Sequence, residues 1–208
     1  PMTSVAIEWD HRFQGADYRY GVTPNAFLVE TLSRPENHLT DGAHIIAAGD
    51  GEGRNGVWMA RQGWRVTAID ASAVGLAKAE KLAAVHGVAI ETRCADLAVH
   101  APPPASVEAV ALIYVHMPPD VRVTAHRNLA KALKPGGLLI LEAFHPRQLG
   151  RSSGGPRDPA MLYTLEMLKA DFGALLETTH EWEGEVTLIE GDGHQGQGWV
   201  TRFVGRRR

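Results

Sequence analysis

The segment from Ala43 to Gly56 constrains the fold more than any other stretch of this chain. An apolar run, Ala43-His44-Ile45-Ile46-Ala47-Ala48, passes directly into Gly49-Asp50-Gly51-Glu52-Gly53 and then into helical sequence. A short apolar run bounded by turn residues reads as a strand buried on both faces, which belongs in a parallel sheet covered by helices. Glycine in the turn tolerates positive φ and lets a ligand approach the backbone, while the following helix offers free N–H groups at its N-terminus. A second strand, Trp64 to Ile69, ends on Asp70. A carboxylate at that strand end is placed to grip the ribose hydroxyls of an adenosine.

The alternation of strand and helix continues along the chain. Thr23-Pro24 predicts the cap and first residue of a helix through Phe27, Leu28 and Leu32, and the lead-in from Trp9 to Tyr20 reads as a cover segment. Helices are predicted from about Gly53 to Gln62 and from the Ser72 cap to about His86, where Gly87 stops the second. Strands three to five are expected at Val88 to Arg93, Val107 to Tyr114 and Leu138 to Leu141. After Pro118-Pro119, Val121, Ala125, Leu129 and Leu133 fall on one helical face. Gln148 to Pro159 reads as a glycine-rich loop, followed by a short helix around Met161 to Phe172. Strands near Val186 to Ile189 and Trp199 to Val204 should pair as a hairpin at the sheet edge. The expected architecture is α/β: a Rossmann-like, doubly wound seven-stranded sheet, mostly parallel with a C-terminal antiparallel β-hairpin. A single domain is expected over 1–208, with a cover segment and helix at 1–40, a cofactor-binding core at 41–147, and a loop, helix and hairpin at 148–208.

With 208 residues the chain can bury one good core. A net charge of -3 gives no electrostatic reason to expect nucleic acid or an anionic membrane as partner, and Arg206-Arg207-Arg208 reads as a solvated tail. Cys94 is the only cysteine, which excludes an internal disulfide and a cysteine-built zinc site. No short ligand spacing links His116, His145 and His194, so no metal is expected. The chain carries no apolar run of membrane-span length and no signal-like core near Glu8, Asp10 and Arg12, so a cytoplasmic monomer or homodimer is expected.

Four motifs carry a family resemblance: Gly51-Glu52-Gly53-Arg54-Asn55, Val66 to Ser72, Ala95-Asp96-Leu97, and Leu133-Lys134-Pro135-Gly136-Gly137. Tyr20-Gly21 and Pro24-Asn25-Ala26-Phe27-Leu28 add to them. Through these residues the chain resembles class I S-adenosylmethionine-dependent methyltransferases from end to end. Within them it is most similar to the small bacterial tellurite-resistance-like proteins and, more faintly, to thiopurine methyltransferases. The resemblance implies that Gly49, Gly51 and Gly53 face the methionine and ribose, that Asp70 holds the ribose, and that Asp96 and Leu97 frame the adenine. It places Tyr114 near the sulfonium and groups Asn55, Ala71 and Ser72 with the cofactor-binding residues. Ala47 departs from the pattern, since many superfamily members carry an acid there; Asp50 is the expected substitute toward the cofactor's ammonium. Gly51-x-Gly53-x-x-Gly56 also fits a dinucleotide pattern, so an NAD(P)-dependent oxidoreductase is the alternative, and a non-catalytic S-adenosylmethionine-binding protein a third reading.

Methyl transfer from a sulfonium is an in-line displacement in which the protein supplies orientation and excludes water. A small-molecule acceptor is expected, with a soft chalcogen or thiol among the candidates. An anionic acceptor of that kind needs no base, whereas a hydroxyl or protonated nitrogen does. His116, two residues past strand four, is the candidate catalytic residue, with Tyr20, His145 and Arg12 as candidates on the acceptor side. His194 is expected to face solvent in the hairpin turn. Trp9, Arg12 and Tyr20 are expected in a lid, and Arg151 and Arg157 in a loop able to close over the acceptor.

Overall fold

In the computed structural model, which describes residues 2–208, the apolar run after Ala43 forms β1 (His44–Ala48) inside a seven-stranded sheet. β2 (Arg65–Asp70) and β4 (Val107–Ile113) flank it in parallel. β3 (Glu91–Cys94) pairs outside β2, and β5 (Leu133–Phe144) outside β4, both parallel. β7 (His194–Arg207) pairs antiparallel with β5, and β6 (Leu176–Glu190) with β7. The order is therefore β3-β2-β1-β4-β5-β7-β6, the doubly wound sheet with an antiparallel edge hairpin that the sequence pattern predicts. The chain turns one way after β1 and the other way after β4, so the carboxyl ends of these two strands open the crevice where ligands bind in such sheets.

The two faces of β1 explain its unbroken apolar run. Ile46 and Ala48 pack toward α5 (Pro119–Ala132) and α6 (Leu165–Phe172) through Leu129, Leu168 and Phe172. Ile45 and Ala47 pack toward α2 (Ala26–Ser33) and α3 (Arg54–Arg61) through Leu28 and Met59. The helix capped by Ser72 is α4 (Ala73–Val85), with the Ser72 hydroxyl accepting from Gly75 N at 3.0 Å.

Several features differ from the sequence-based expectation. The cover segment begins as a helix, α1 (Ser4–Arg12), capped by Thr3; it buries only Ala6, so its apolar pattern is faint. α2 is capped by Asn25, not Thr23, because the Asn25 carbonyl accepts from Leu28 N while its amide is held from across the fold. β5 begins at Leu133, and a register irregularity opposite Val107 absorbs Lys134-Pro135-Gly136-Gly137. β6 and β7 are 15 and 14 residues long, far beyond the short apolar cores that mark them in the sequence. β6 is an edge strand with an exposed face rich in glutamate, which hides it from a hydrophobicity pattern. No helix among the described residues is long and apolar enough to cross a membrane.

Candidate functional site

The turn after β1 is held in a shape that suits glycine. Gly51 and Gly53 have φ of +55° and +91°, which L side chains rarely adopt. A Cβ on Gly53 would stand 2.5 Å from Ala79 in α4, so this glycine also permits the loop to seat against that helix. The Asp70 carboxylate accepts from Gly51 N and from Ser72 N, both at 2.8 Å, and so ties the loop to the end of β2. Burial raises the Asp70 pKa above the usual carboxylate range against the pull of those two N–H groups, and the nearby Asp10 adds to the rise. Asp10, in α1, accepts from the Ser72 hydroxyl at 2.6 Å and from Val74 N at 3.2 Å, bringing the first helix onto the start of α4.

A polar clasp fixes the segment that follows. Lys78 of α4 pairs with Glu52 of the glycine loop and donates to the carbonyls of Phe13 at 3.2 Å and Asp17 at 2.6 Å. Glu52 also accepts from Arg19 N at 2.8 Å. The Phe13 ring is wedged between Gly51 and Gly75, where a Cβ on either glycine would come within about 3 Å of it. Sequence reasoning placed Glu52 in a motif without a role and passed over Phe13 and Lys78; their function depends on contacts between distant segments.

At the end of β4, Tyr114 has a φ of +55°, a strained conformation for a residue with a side chain. Glu142 of β5 imposes it twice. Tyr114 N donates to the Glu142 carbonyl at 2.8 Å, and the Tyr114 hydroxyl donates to the Glu142 carboxylate. That carboxylate, 2% exposed, also accepts from Asn25 Nδ2 at 3.0 Å and from Arg202 Nε at 2.5 Å. Burial together with Glu142 and Glu190 pushes the Tyr114 hydroxyl well above its ordinary pKa, so it stays a donor. Beside this group Arg54 pairs with Glu190 at 2.5 Å. Strain held by redundant contacts at a ligand-bearing edge is characteristic of functional sites.

Several candidate residues take other roles. His116 is half-buried, with Nδ1 2.6 Å from the Met161 carbonyl and Nε2 3.3 Å from Phe144 N. Burial lowers its pKa to about 4, and with both nitrogens engaged by backbone it has no lone pair free for an acceptor's proton. The geometry corrects its expected catalytic role to that of a brace between strand ends. His145 caps a 3₁₀ turn by accepting from Arg147 N, packs on Trp199 and lies 3.4 Å from Glu183. Arg12 is exposed and pairs with Glu8. The Asn55 side-chain carbonyl accepts from Asn25 N at 2.8 Å at the start of α2, and Asn55 lines a small pocket with Gly49 and Asp50. Asp50 turns beneath the loop onto Gly56 N, at 3.1 and 3.2 Å, so its carboxylate does not replace the acid missing at Ala47. Asp96 accepts from Ala98 N at 2.9 Å in the turn after β3, with Leu97 half-buried beside it. Tyr20 stays at the rim, its ring centroid 4.4 Å from that of His194. His194, expected in solvent, is 5% exposed.

Residues 45–137 match the family model described as "Methyltransferase domain". Over this segment the chain is similar to methyltransferase domains. The segment spans the glycine loop, Asp70, Asp96 and Tyr114 together. The chain is 28% identical over 137 residues, 65% of its length, to a cypemycin N-terminal methyltransferase from a Streptomyces species, and the match spans 55% of that protein. The fold is shared with the N-methyltransferase NodS from Bradyrhizobium japonicum, solved with S-adenosylhomocysteine (TM-score 0.71, 14% identity, 99% of each chain). It is shared also with TehB from Haemophilus influenzae (TM-score 0.64, 15% identity, 80% of this chain and 58% of that one).

The residues of this segment fit S-adenosylmethionine, the cofactor that the sequence resemblance implies. A glycine loop in left-handed conformation brings bare backbone to the crevice, and each Asp70 oxygen accepts one N–H and keeps a lone pair for a hydroxyl donor. No group of three or more His, Cys, Asp or Glu among the described residues is placed to hold a metal ion.

Proposed function

We propose that the whole chain transfers the methyl group of S-adenosylmethionine to a small-molecule acceptor. The observation that carries this reading is the buried Asp70 carboxylate, docked on Gly51 N–H and Ser72 N–H beside the crevice where the strand order reverses. In this reading Asp70 accepts from the ribose hydroxyls, and Gly49, Gly51 and Gly53 lie against the methionine and ribose. Asp96 and Leu97 border the adenine, and Tyr114 stands by the sulfonium. Bound there, the cofactor supplies an electrophilic methyl group. The residues of the chain orient it and keep water out: α1, Phe13 and the Lys78–Glu52 clasp cover the loop, while Glu142 fixes Tyr114. The curated relative named for N-terminal methylation and the solved N-methyltransferase NodS support a small acceptor.

Isothermal titration with S-adenosylhomocysteine and with NADH tests the reading. S-adenosylhomocysteine should bind and NADH should not; the reverse result refutes the proposal in favour of hydride transfer. Asp70→Ala should weaken S-adenosylhomocysteine by about 1.5–3 kcal/mol, the range for hydrogen bonds to a charged group. An unchanged affinity removes Asp70 from the ribose site.

A further inference from the structure

We infer that the cavity walled by the loop from Gln148 to Arg157 binds a small organic carboxylate. Its lining is separate from the glycine loop and Asp70, and the inference holds whichever cofactor the crevice takes.

The loop follows the 3₁₀ turn at Pro146–Gln148, and one buried side chain holds it in shape. Gln148, 2% exposed, donates from Nε2 to Ser153 Oγ at 2.8 Å and to the Gly154 carbonyl at 3.0 Å, and its Oε1 accepts from Trp199 N at 2.9 Å. The Ser153 hydroxyl donates to the Gln197 carbonyl at 2.7 Å, and the Ser153 carbonyl accepts from Gln195 N at 3.1 Å. These bonds tie the loop to β7. The cavity it encloses is about 550 Å³, within the range of roughly 300–1,000 Å³ for small-molecule sites. Gly154 and Gly155 line it on the side of the sheet, at φ of +135° and +89°. A Cβ on Gly154 would fall 2.6 Å from His194 Cδ2, and one on Gly155 would fall 2.8 Å from Phe144 Cδ2. Those two rings have centroids 4.5 and 4.8 Å from that of Tyr114, so one aromatic layer lies between the cavity wall and the strained end of β4.

The lining decides the class of ligand. Arg151 and Arg157 line the cavity, and no acid does. Glu185 of β6 pairs with Arg151 at 2.7 Å, while Arg157 pairs with no acid among the described residues. Asp158, next to Arg157 in the chain, is engaged elsewhere: its carboxylate caps the following 3₁₀ turn by accepting from Ala160 N at 2.9 Å. Two guanidinium groups against one carboxylate leave a single positive charge, which matches a carboxylate monoanion and falls short of a phosphate dianion. A guanidinium carries five N–H donors in a planar fork, so Arg151 keeps donors beyond those that face Glu185. The N–H groups of Gly154 and Gly155 donate to no acceptor among the described residues and add neutral donors to the wall. Leu149, 44% exposed, and Pro156 offer apolar surface to the body of the ligand. A cation placed there would face two guanidinium groups and no carboxylate of the lining.

The test uses the full chain labelled with ¹⁵N-glycine, with benzoate, benzamide and phenyl phosphate as probes. Benzoate should move the Gly154 and Gly155 amide resonances to saturation and leave those of Gly51 and Gly53 in place. Benzamide, the same ring without the charge, should bind at least about tenfold more weakly, and phenyl phosphate should also bind more weakly than benzoate. Arg157→Gln removes an exposed cation and should weaken benzoate at least about tenfold, while unmoved Gly51 and Gly53 resonances show that the fold is intact. Glu185→Gln leaves the charge of Arg151 unbalanced and should turn the preference toward phenyl phosphate. No saturable shift, benzamide as tight as benzoate, or benzoate affinity unchanged in Arg157→Gln overturns the inference. Phenyl phosphate binding wild type more tightly than benzoate, or Glu185→Gln keeping the wild-type preference, overturns the assignment to a carboxylate.

Discussion

Replacing Asp50 with asparagine should stabilise the protein, and the gain should grow with pH. The Asp50 carboxylate faces Gly56 N beneath the glycine loop. Burial pushes its pKa from 3.8 up to about 8, Gly56 N–H and Arg54 oppose the shift, and the charge of Asp70 adds to it. The folded state therefore keeps a proton that the unfolded chain has lost between pH 3.8 and about 8. Stability from this group falls as pH rises through that window and is level outside it. At about 1.4 kcal/mol per pH unit, the cost grows by about 3 kcal/mol between roughly pH 5 and roughly pH 7.5. Asparagine presents the same acceptor to Gly56 N without the titration. His116 and His194 work in the opposite direction: their folded pKa values, about 4 and about 3, lie below the ordinary 6.5, so they weaken the fold as pH falls below 6.5. The difference between Asp50→Asn and wild type cancels those contributions. Urea denaturation at the two pH values measures it through the midpoints. A variant no more stable than wild type at the higher pH, or a difference that does not change with pH, refutes the reasoning. The same variant should bind S-adenosylhomocysteine within about twofold of wild type, under about 0.4 kcal/mol. A tenfold loss would return Asp50 to the ammonium site.

Two further outcomes follow from the contacts around the site. Glu142→Ala leaves Arg202, Asn25 and the Tyr114 hydroxyl without their shared acceptor and should cost about 3–5 kcal/mol in urea denaturation; a loss below about 1 kcal/mol would mean the network is not coupled to the fold. Lys78→Met removes the ion pair with Glu52 and the donors to Phe13 and Asp17, so amide exchange over residues 13–20 should quicken at least tenfold while β1 and β4 stay protected. Unchanged exchange there would show that Phe13 alone holds the cover segment.

The sheet was legible in the sequence because its signals are local. Ile45 to Ala48 must be apolar on both faces, Gly51 and Gly53 must turn with positive φ, Ser72 must cap the helix it precedes, and each requirement marks the residue that meets it. The position of Asp70 at a strand end followed from the same pattern. Side-chain roles at the strand ends were not legible, because their partners come from far along the chain. Asn25 meets Glu142 across 117 positions, and Lys78 meets Phe13 across 65. In sequence His116, near the end of a strand, reads as the candidate catalytic residue, and His194, in a turn, as facing solvent. Tertiary packing gave both nitrogens of His116 to the backbone and enclosed His194 among three rings with one nitrogen free. The sequence by itself determined the scaffold and its glycine turn, since backbone geometry is set by neighbours; how each histidine is engaged was decided only when the N-terminal segment, β4, β5 and the hairpin met at one edge.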